Sequence, residues 1–234
     1  MKDVQAAVLD GRADIAVHSA KDLPATPSAG LVLAAVPERG DARDALVGRT
    51  LAQLDTRATV ATGSVRRRAQ LAALRPDLSF VDLRGNIATR LAKVPAFGAI
   101  VVAYAALERL GLSDHAAEVL DPSLMLPQVA QGALAVECRD RSTFAELLAQ
   151  VEHRPSRACV DAERSFLAGL GSGCDLPVGA YATVTGATIS LTGLLAAPDG
   201  SVVIRRTAHG SDAVALGETV CADVLASGGR SLLE

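Results

Sequence analysis

The chain has no tryptophan, and aromatic residues make up only 3% of its 234 residues. This scarcity argues against the stacking platforms on which single-stranded nucleic acids bind. A formal net charge of −3 also argues against a general nucleic-acid-binding protein, which usually carries a basic surplus. We therefore expect no nucleic-acid partner, although the basic run 66–68 keeps RNA or DNA binding open as a rival interpretation.

Long apolar runs and paired cysteines are also lacking. No uninterrupted apolar run reaches the ~18 residues of a membrane span, and residues 1–5 lack the apolar core of a signal peptide. The cysteines form no C-x-x-C pair, and no two candidate ligands have the spacing of a zinc site. We expect reduced thiols, no metal, no membrane association and a cytoplasmic location.

Two similar segments, 62–71 and 84–91, stand out against this background. In each, an apolar run ends in glycine and small polar residues, and a helix-like pattern with early arginines follows. The basic residues are Arg66, Arg67, Arg68, Arg75, Arg84, Arg90 and Lys93. A helix N-terminus carries free N–H groups, and guanidinium pairs with carboxylate or phosphate in a bidentate geometry. The pattern favours a site for a small polyanion, with solvated surface arginines as the alternative.

Strand and helix patterns alternate through the first part of the chain, which predicts the α/β class. We expect strands over 14–19, 31–36, 45–47, 58–62, 80–83, 98–103 and 133–138, and helices over 2–10, 104–110, 142–151 and 156–170. Ser64 is the predicted N-cap of the first arginine-bearing helix. The later pattern changes to strands over 178–184, 188–196 and 201–207 and a helix over 213–225, which indicates a small α+β domain.

Two places could carry chemistry. Lys21 and Asp22 follow the strand 14–19, at the kind of strand end where ligands collect in α/β sheets. Asp22 is a candidate acid or base, with a turn cap as the alternative. Cys174 lies on a loop with glycines at 169, 171 and 173, which suits covalent attachment or nucleophilic work, although plain turns also look like this. The other cysteines, in apolar or helical patterns, are expected to be buried.

Five blocks together resemble the porphobilinogen deaminase family, also called hydroxymethylbilane synthases. The blocks are 14–24 (DIAVHSAKDLP), 62–67 (TGSVRR), 83–91 (LRGNIATRL), 131–138 (QGALAVEC) and 171–179 (GSGCDLPVG). They occur in the family's order and cover the chain nearly end to end. The resemblance implies a transferase of tetrapyrrole (heme) biosynthesis, which joins porphobilinogen head to tail into hydroxymethylbilane and releases ammonia at each addition.

The resemblance also implies roles for particular residues. Asp22 matches the catalytic acid, and Cys174 matches the cysteine that holds a dipyrromethane cofactor through a thioether. The other implied cofactor-binding residues are Lys21, Thr62, Ser64, Arg66, Arg67, Arg84, Arg90 and Gly173. The implied substrate-binding residues are Arg84, Arg90, Arg109 and Gln131. Arg68 falls outside the family pattern. These residues would hold the acetate and propionate groups of a growing pyrrole chain.

The family has three domains, which on this chain correspond to 1–37 with 131–152, 43–127, and 155–234. The first two resemble periplasmic binding proteins, and we expect a monomer. In the family, a strand with an Arg-x-Ser motif and a Gly-Lys-Gly loop precede the helix that opens here, a stretch of roughly sixty residues, within ordinary domain size. We therefore expect an incomplete first domain and weak or absent activity. A non-catalytic anion-binding module of periplasmic type is the alternative, although it gives Cys174 no role.

Overall fold

The structure is a computed structural model that describes residues 2–24, 28–171 and 176–233. Its strands are β1 (Ile15–Ser19), β2 (Leu31–Ala35), β3 (Asp44–Gly48), β4 (Thr59–Ala61), β5 (Ser79–Val81), β6 (Ala99–Ala103), β7 (Ala116–Val119), β8 (Leu134–Arg139), β9 (Val178–Thr185), β10 (Thr188–Ala196) and β11 (Val203–Gly210). Its α-helices are α1 (Lys2–Leu9), α2 (Val65–Leu74), α3 (Ile87–Ala92), α4 (Tyr104–Glu108), α5 (Phe144–Leu148), α6 (Arg154–Gly169) and α7 (Ala213–Ala226). The α/β class is confirmed.

The first sheet is antiparallel, in the order β1-β8-β2. α1 covers it by packing Val8, which is fully buried, against Ala16 and Leu31. α5 is shorter than the predicted helix 142–151, because the chain tightens into a 3₁₀ turn at Ala149–Val151. β1 enters a further 3₁₀ turn, Ala20–Asp22. The first sheet thus carries the Lys21–Asp22 turn.

The second sheet is mixed, in the order β5-β4-β6-β3-β7. β4 runs parallel to β5 and β6, whereas β3 runs antiparallel to β6 and β7. All residues of β6 are buried, as its continuous apolar run predicts. β7 was not predicted, because its sequence Ala-Ala-Glu-Val lacks the alternation of apolar and polar residues that predicts a strand. It forms through pairing with β3 and through Glu118, whose carboxylate accepts the Leu51 N–H at 2.6 Å.

The third sheet is antiparallel, in the order β11-β10-β9, and α6 and α7 pack on it. Gly193 makes this packing close, since a Cβ there would lie 2.6 Å from the Phe166 ring. The predicted helix–three strands–helix order is confirmed. β11 begins at Val203 rather than at 201, because the backbone bond from Ala197 N–H to the Val202 carbonyl uses the preceding residues for a turn.

Two passes of the chain, the outgoing pass 36–43 and the return pass 127–133, connect the first sheet with the second. They lie side by side, with the Gly40 N–H bonded to the Gly132 carbonyl at 3.2 Å. Gly132 has φ of 84°, and a Cβ there would lie 2.6 Å from the Gly40 oxygen, so glycine is required. The three sheets support the proposed division at 1–37 with 131–152, 43–127 and 155–234, which stays a proposal.

Within residues 2–24, 28–171 and 176–233, no helix combines the length and the apolar character that a membrane crossing requires.

Candidate active site

A buried carboxylate, Asp44, organises the polar residues between the first and second sheets. It is the first residue of β3 and is fully buried. Its Oδ2 accepts Arg66 Nη1 at 2.7 Å, and its Oδ1 accepts Arg67 Nη2 at 2.7 Å and Nε at 3.0 Å. Burial alone would raise the pKa of Asp44, but the charges and hydrogen bonds of both arginines outweigh it and hold the pKa below its ordinary 3.8. The carboxylate is therefore ionised.

The two arginines reach Asp44 because they lie in the first turn of α2. The predicted N-cap is confirmed, since the Ser64 hydroxyl accepts the Arg67 N–H at 3.4 Å. Thr62 is buried just before it, and its hydroxyl accepts the Ser64 N–H at 3.2 Å. These bonds fix the turn from β4 into α2 and so fix the direction of both guanidinium groups.

Gln131 joins this cluster from the return pass 127–133. The side chain is fully buried, and its Nε2 donates to Asp44 Oδ1 and to the Ala42 carbonyl, both at 2.8 Å. Its Oε1 lies 3.4 Å from Lys21 Nζ and 3.5 Å from Arg67 Nη2. One amide therefore links the Lys21–Asp22 turn of the first sheet to Asp44 and Arg67 of the second.

Lys21 and Asp22 lie on the 3₁₀ turn after β1, which the bond from Ala20 N–H to the Ala133 carbonyl holds at 3.0 Å. Burial, reinforced by the charge of Arg67, lowers the pKa of Lys21 to about 8, although Asp22 favours its charged form. Asp22 itself is exposed. The turn thus presents a partly buried amine beside a carboxyl group that is open to solvent.

The cluster has a surplus of positive charge, since Arg66 and Arg67 share the single carboxylate of Asp44. Arg66 is only 3% exposed, and burial lowers its pKa. Its Nη1 is satisfied by Asp44 and by the Leu126 carbonyl. Within the part of the chain that the structure describes, its Nε and Nη2 have no hydrogen-bond partner. Buried N–H groups of this kind require an acceptor, and an anion supplies one.

Three further arginines were predicted to bind ligand, and two of them, Arg90 and Arg109, lie near this cluster. Arg90 is partly exposed and donates to the Gly85 carbonyl at 2.8 Å. Burial, and to a smaller extent the charge of Arg67, lowers the pKa of Arg90. Arg109 donates to the Gly132 carbonyl at 2.6 Å, next to Gln131, and Arg84 is exposed just before α3. Their exposure leaves them available to a ligand.

Two family models together match most of the chain. The family model described as "Porphobilinogen deaminase, dipyromethane cofactor binding domain" matches residues 1–146. The model described as "Porphobilinogen deaminase, C-terminal domain" matches residues 157–226. The chain belongs to the porphobilinogen deaminase family. The family assignment made from the five sequence blocks is confirmed.

Curated members of the porphobilinogen deaminase family match over nearly the whole chain. The porphobilinogen deaminase of Nitratidesulfovibrio vulgaris (strain DSM 19637 / Miyazaki F) is 47% identical over 246 residues, covering 100% of this chain and 78% of the relative. That of Acidothermus cellulolyticus is 47% identical over 244 residues, covering 99% of this chain and 74% of the relative. The chain therefore spans about three quarters of the length of these two relatives.

A likeness to solved structures is much weaker. The periplasmic sulfonate-binding protein SsuA from Methylobacillus flagellatus KT is 14% identical, with a TM-score of 0.35, covering 72% of this chain and 52% of that chain. The α/β class rests on the sheets described above, and the predicted relation of the first two domains to periplasmic binding proteins stays a prediction.

The residues present fit the dipyrromethane group that the family description names. That group carries carboxylates on its two pyrrole rings, and the cluster offers Nε and Nη2 of Arg66, which are buried and have no acceptor among the described residues. Lys21, Arg67 and Gln131 lie within one hydrogen-bonded network with it. Gly173 and Cys174, the predicted attachment cysteine, lie outside the described residues, so their roles stay predictions.

The structure adds Asp44 to the residues predicted from the sequence. Arg66 and Arg67 are buried and bind this carboxylate of the protein, and their predicted role toward ligand carboxylates stays a prediction. Asp44 was not predicted as a site residue, although a charged residue directly before the buried run 45–47 is a usable signal. Arg68 packs on β5, donating to the Phe80 carbonyl at 3.2 Å with its guanidinium carbon 5.9 Å from the ring centroid.

The remaining thiols behave as predicted. Cys138, Cys159 and Cys221 are free and buried. Burial raises the pKa of each, that of Cys159 to about 11, with a further contribution from the charge of Glu163. At neutral pH these thiols hold little of the reactive thiolate.

Proposed function

We propose that the chain catalyses the stepwise head-to-tail condensation of porphobilinogen into hydroxymethylbilane, with release of ammonia at each addition. One observation supports this most directly. Two buried guanidinium groups share one carboxylate, Nε and Nη2 of Arg66 have no acceptor among the described residues, and Gln131 ties the cluster to the Lys21–Asp22 turn. An anionic substrate therefore finds its binding groups next to a solvent-open carboxyl group.

The proposed binding roles follow from charge. Porphobilinogen carries an acetate and a propionate, which Arg84, Arg90 and Arg109 would hold at the exposed side of the cluster. Gln131 would orient the ligand through its amide. Guanidinium suits this work because it keeps its charge and offers paired N–H donors. Arg66 and Arg67 would stay fixed by Asp44, and Nε and Nη2 of Arg66 would donate to the ligand.

The proposed chemistry belongs to Asp22. Loss of ammonia breaks the carbon–nitrogen bond of the aminomethyl group and leaves a cation on the substrate pyrrole. A carboxyl group placed there donates a proton to the departing nitrogen and then, as carboxylate, stabilises that cation. A pyrrole carbon of the growing chain then forms the new carbon–carbon bond and loses a proton. Asp22 is exposed and beside Lys21, which leaves it accessible to a substrate.

A dipyrromethane cofactor, when bound, supplies the first pyrrole carbon to which substrate is added. In this chain Cys174 would hold it through a thioether. The supporting residues would be Lys21, Thr62, Ser64, Arg66, Arg67, Arg84, Arg90 and Gly173. Burial of the Arg66 and Arg67 charges beside Asp44 supports this assignment, because a cluster with surplus positive charge binds anionic groups before any substrate arrives.

The exposed carboxyl of Asp22 provides the test. Asp22→Asn keeps the shape and removes the proton, so we expect turnover of porphobilinogen to fall by about two to four orders of magnitude, the usual contribution of a general acid. Asp14 is an exposed aspartate directly before β1, at the opposite end of the strand from Asp22. Asp14→Asn should therefore retain turnover. Ammonia release and porphobilinogen consumption are measured together. Normal turnover in Asp22→Asn would remove Asp22 from the mechanism.

Location and assembly complete the proposal. We propose a cytoplasmic monomer whose small-molecule partner is porphobilinogen and which binds no nucleic acid. The free thiols of Cys138, Cys159 and Cys221 support a reducing compartment, and the net charge of −3 disfavours nucleic acid.

A further inference from the structure

Glu163 on α6 is fully buried and connects three separate parts of the chain. Its Oε1 accepts Arg39 Nη1 at 2.6 Å and the Ala182 N–H at 2.8 Å. Its Oε2 accepts Arg39 Nη2 at 3.1 Å and the Ala130 N–H at 2.6 Å. One carboxylate thus holds the outgoing pass through Arg39, the return pass through Ala130, and β9 of the third sheet.

The Glu163 carboxylate is connected to the site through the backbone of Ala130. Its φ is 58°, in the left-handed region that residues with a Cβ rarely adopt. Such a conformation persists only where the surroundings hold it. The bond from the Ala130 N–H to Glu163 is a charge-assisted contact that does so.

Gln131 follows directly and is clamped on its other side as well. Arg39, itself oriented by Glu163, donates its Nε to the Gln131 carbonyl at 2.8 Å. Glu163 therefore fixes the backbone at Ala130, the residue before Gln131, and Arg39 fixes the carbonyl of Gln131 itself. The side chain of Gln131 then meets Asp44 Oδ1 at 2.8 Å and Lys21 Nζ at 3.4 Å.

We infer that Glu163 is a positioning residue for the active site, which sets the orientation of Gln131 through Ala130 and Arg39. This inference rests on the proposed function for its kinetic consequence. It gives α6 a second role, because the helix that leads into the glycine-rich loop at Gly169 and Gly171 also holds the polar cluster in place.

Glu163→Gln tests the inference, because the amide keeps the shape but replaces one acceptor oxygen with a donor. We expect kcat/KM for porphobilinogen to fall by about tenfold to a hundredfold, the usual range for lost hydrogen bonds to a charged group. Combined with Gln131→Ala, the same change should cause no further loss, because residues that act through one another are non-additive. Losses that multiply in the double variant would overturn the inference.

Glu152→Gln is the matched control. Glu152 precedes α6 and also ties it to the outgoing pass, accepting the Val36 N–H at 2.6 Å and facing Arg157 at 3.7 Å. It makes a comparable link without touching Ala130 or Gln131. Its effect on kcat/KM should be small and should multiply with that of Gln131→Ala. An equal kinetic loss in Glu152→Gln at equal destabilisation would show that Glu163 only supports the fold.

A second measurement does not depend on activity. Hydrogen exchange of the backbone amides in a peptide spanning 128–133 should quicken in Glu163→Gln and stay unchanged in Glu152→Gln. If the wild type shows no turnover, the proposed function fails while this result still decides the positioning role. If Glu163→Gln does not fold, Arg39→Lys replaces it, since lysine keeps a cation for Glu163 but loses the Nε donor to Gln131. Unchanged exchange in the variant that folds would overturn the inference.

Discussion

At the scale of single residues, the cluster around Asp44 carries more positive than negative charge, which favours binding of an anion. A fully buried carboxylate with two guanidinium partners leaves one positive charge in excess. Burying unpaired charge is costly, and binding sites keep such arrangements where a ligand completes them. Thr62 and Ser64 hold the helix start that aims both arginines. Local capping of α2 and the Asp44 carboxylate together offset the unfavourable burial of this charge.

Asp44→Asn should lower the free energy of unfolding at neutral pH by about 3–5 kcal/mol, because it leaves two buried guanidinium groups without a carboxylate. The pKa of Asp44 is depressed from its ordinary 3.8. Its stabilising contribution is therefore complete above that value and is lost as the pH falls through the lower pKa of the folded state. The variant should show a shallower loss of stability in acid, measured by urea unfolding from neutral pH to about pH 3.

Asp55→Asn is the control for this comparison. Asp55 pairs with Arg49 at the surface, where the two side chains are 77% and 51% exposed. Exposed pairs contribute about 0–1 kcal/mol, so this variant should unfold almost like the wild type. If Asp44→Asn were equally mild, the two arginines would not depend on Asp44 for their burial.

At the scale of elements, the third sheet depends on close contact between α6 and α7. Gly217 on α7 is buried, and a Cβ there would lie 2.5 Å from Ser165 Cβ and 2.6 Å from the Ala162 oxygen. The glycine therefore sets the distance between the helices. α6 also carries Glu163, which accepts hydrogen bonds from Arg39 and from the Ala130 N–H.

Gly217→Ala separates two opposing effects. Helix propensity alone would favour alanine by about 1 kcal/mol, whereas forcing a methyl group into a filled contact costs about 1–3 kcal/mol. The distances above are shorter than any relaxed contact, so we expect net destabilisation in thermal or urea unfolding. Glu218→Ala, one residue further along and exposed, should change little. A Gly217→Ala protein that is more stable than the wild type would show that the helices move apart freely.

At the scale of the whole molecule, local patterns were predictable and distant partnerships were not. The apolar run of β6 and the alternation that leads into α2 are written in adjacent residues, and both elements form where expected. The partnership of Asp44 with Arg66 spans 22 positions, and that of Arg39 with Glu163 spans 124. No periodicity encodes such pairs. β7 was missed for the same reason, since only its neighbour β3 makes it a strand.

Because three thiols are buried, alkylation of the native protein can report whether the fourth, Cys174, is free or modified. Cys138, Cys159 and Cys221 are enclosed by the packed core, so brief alkylation of the native protein with iodoacetamide should leave all three unmodified. At most one adduct should form, on Cys174, and none where a thioether already occupies that sulfur. Intact-mass analysis before and after the reagent would thus report cofactor loading without any turnover assay. Two or more adducts on folded protein would contradict the enclosure of those side chains.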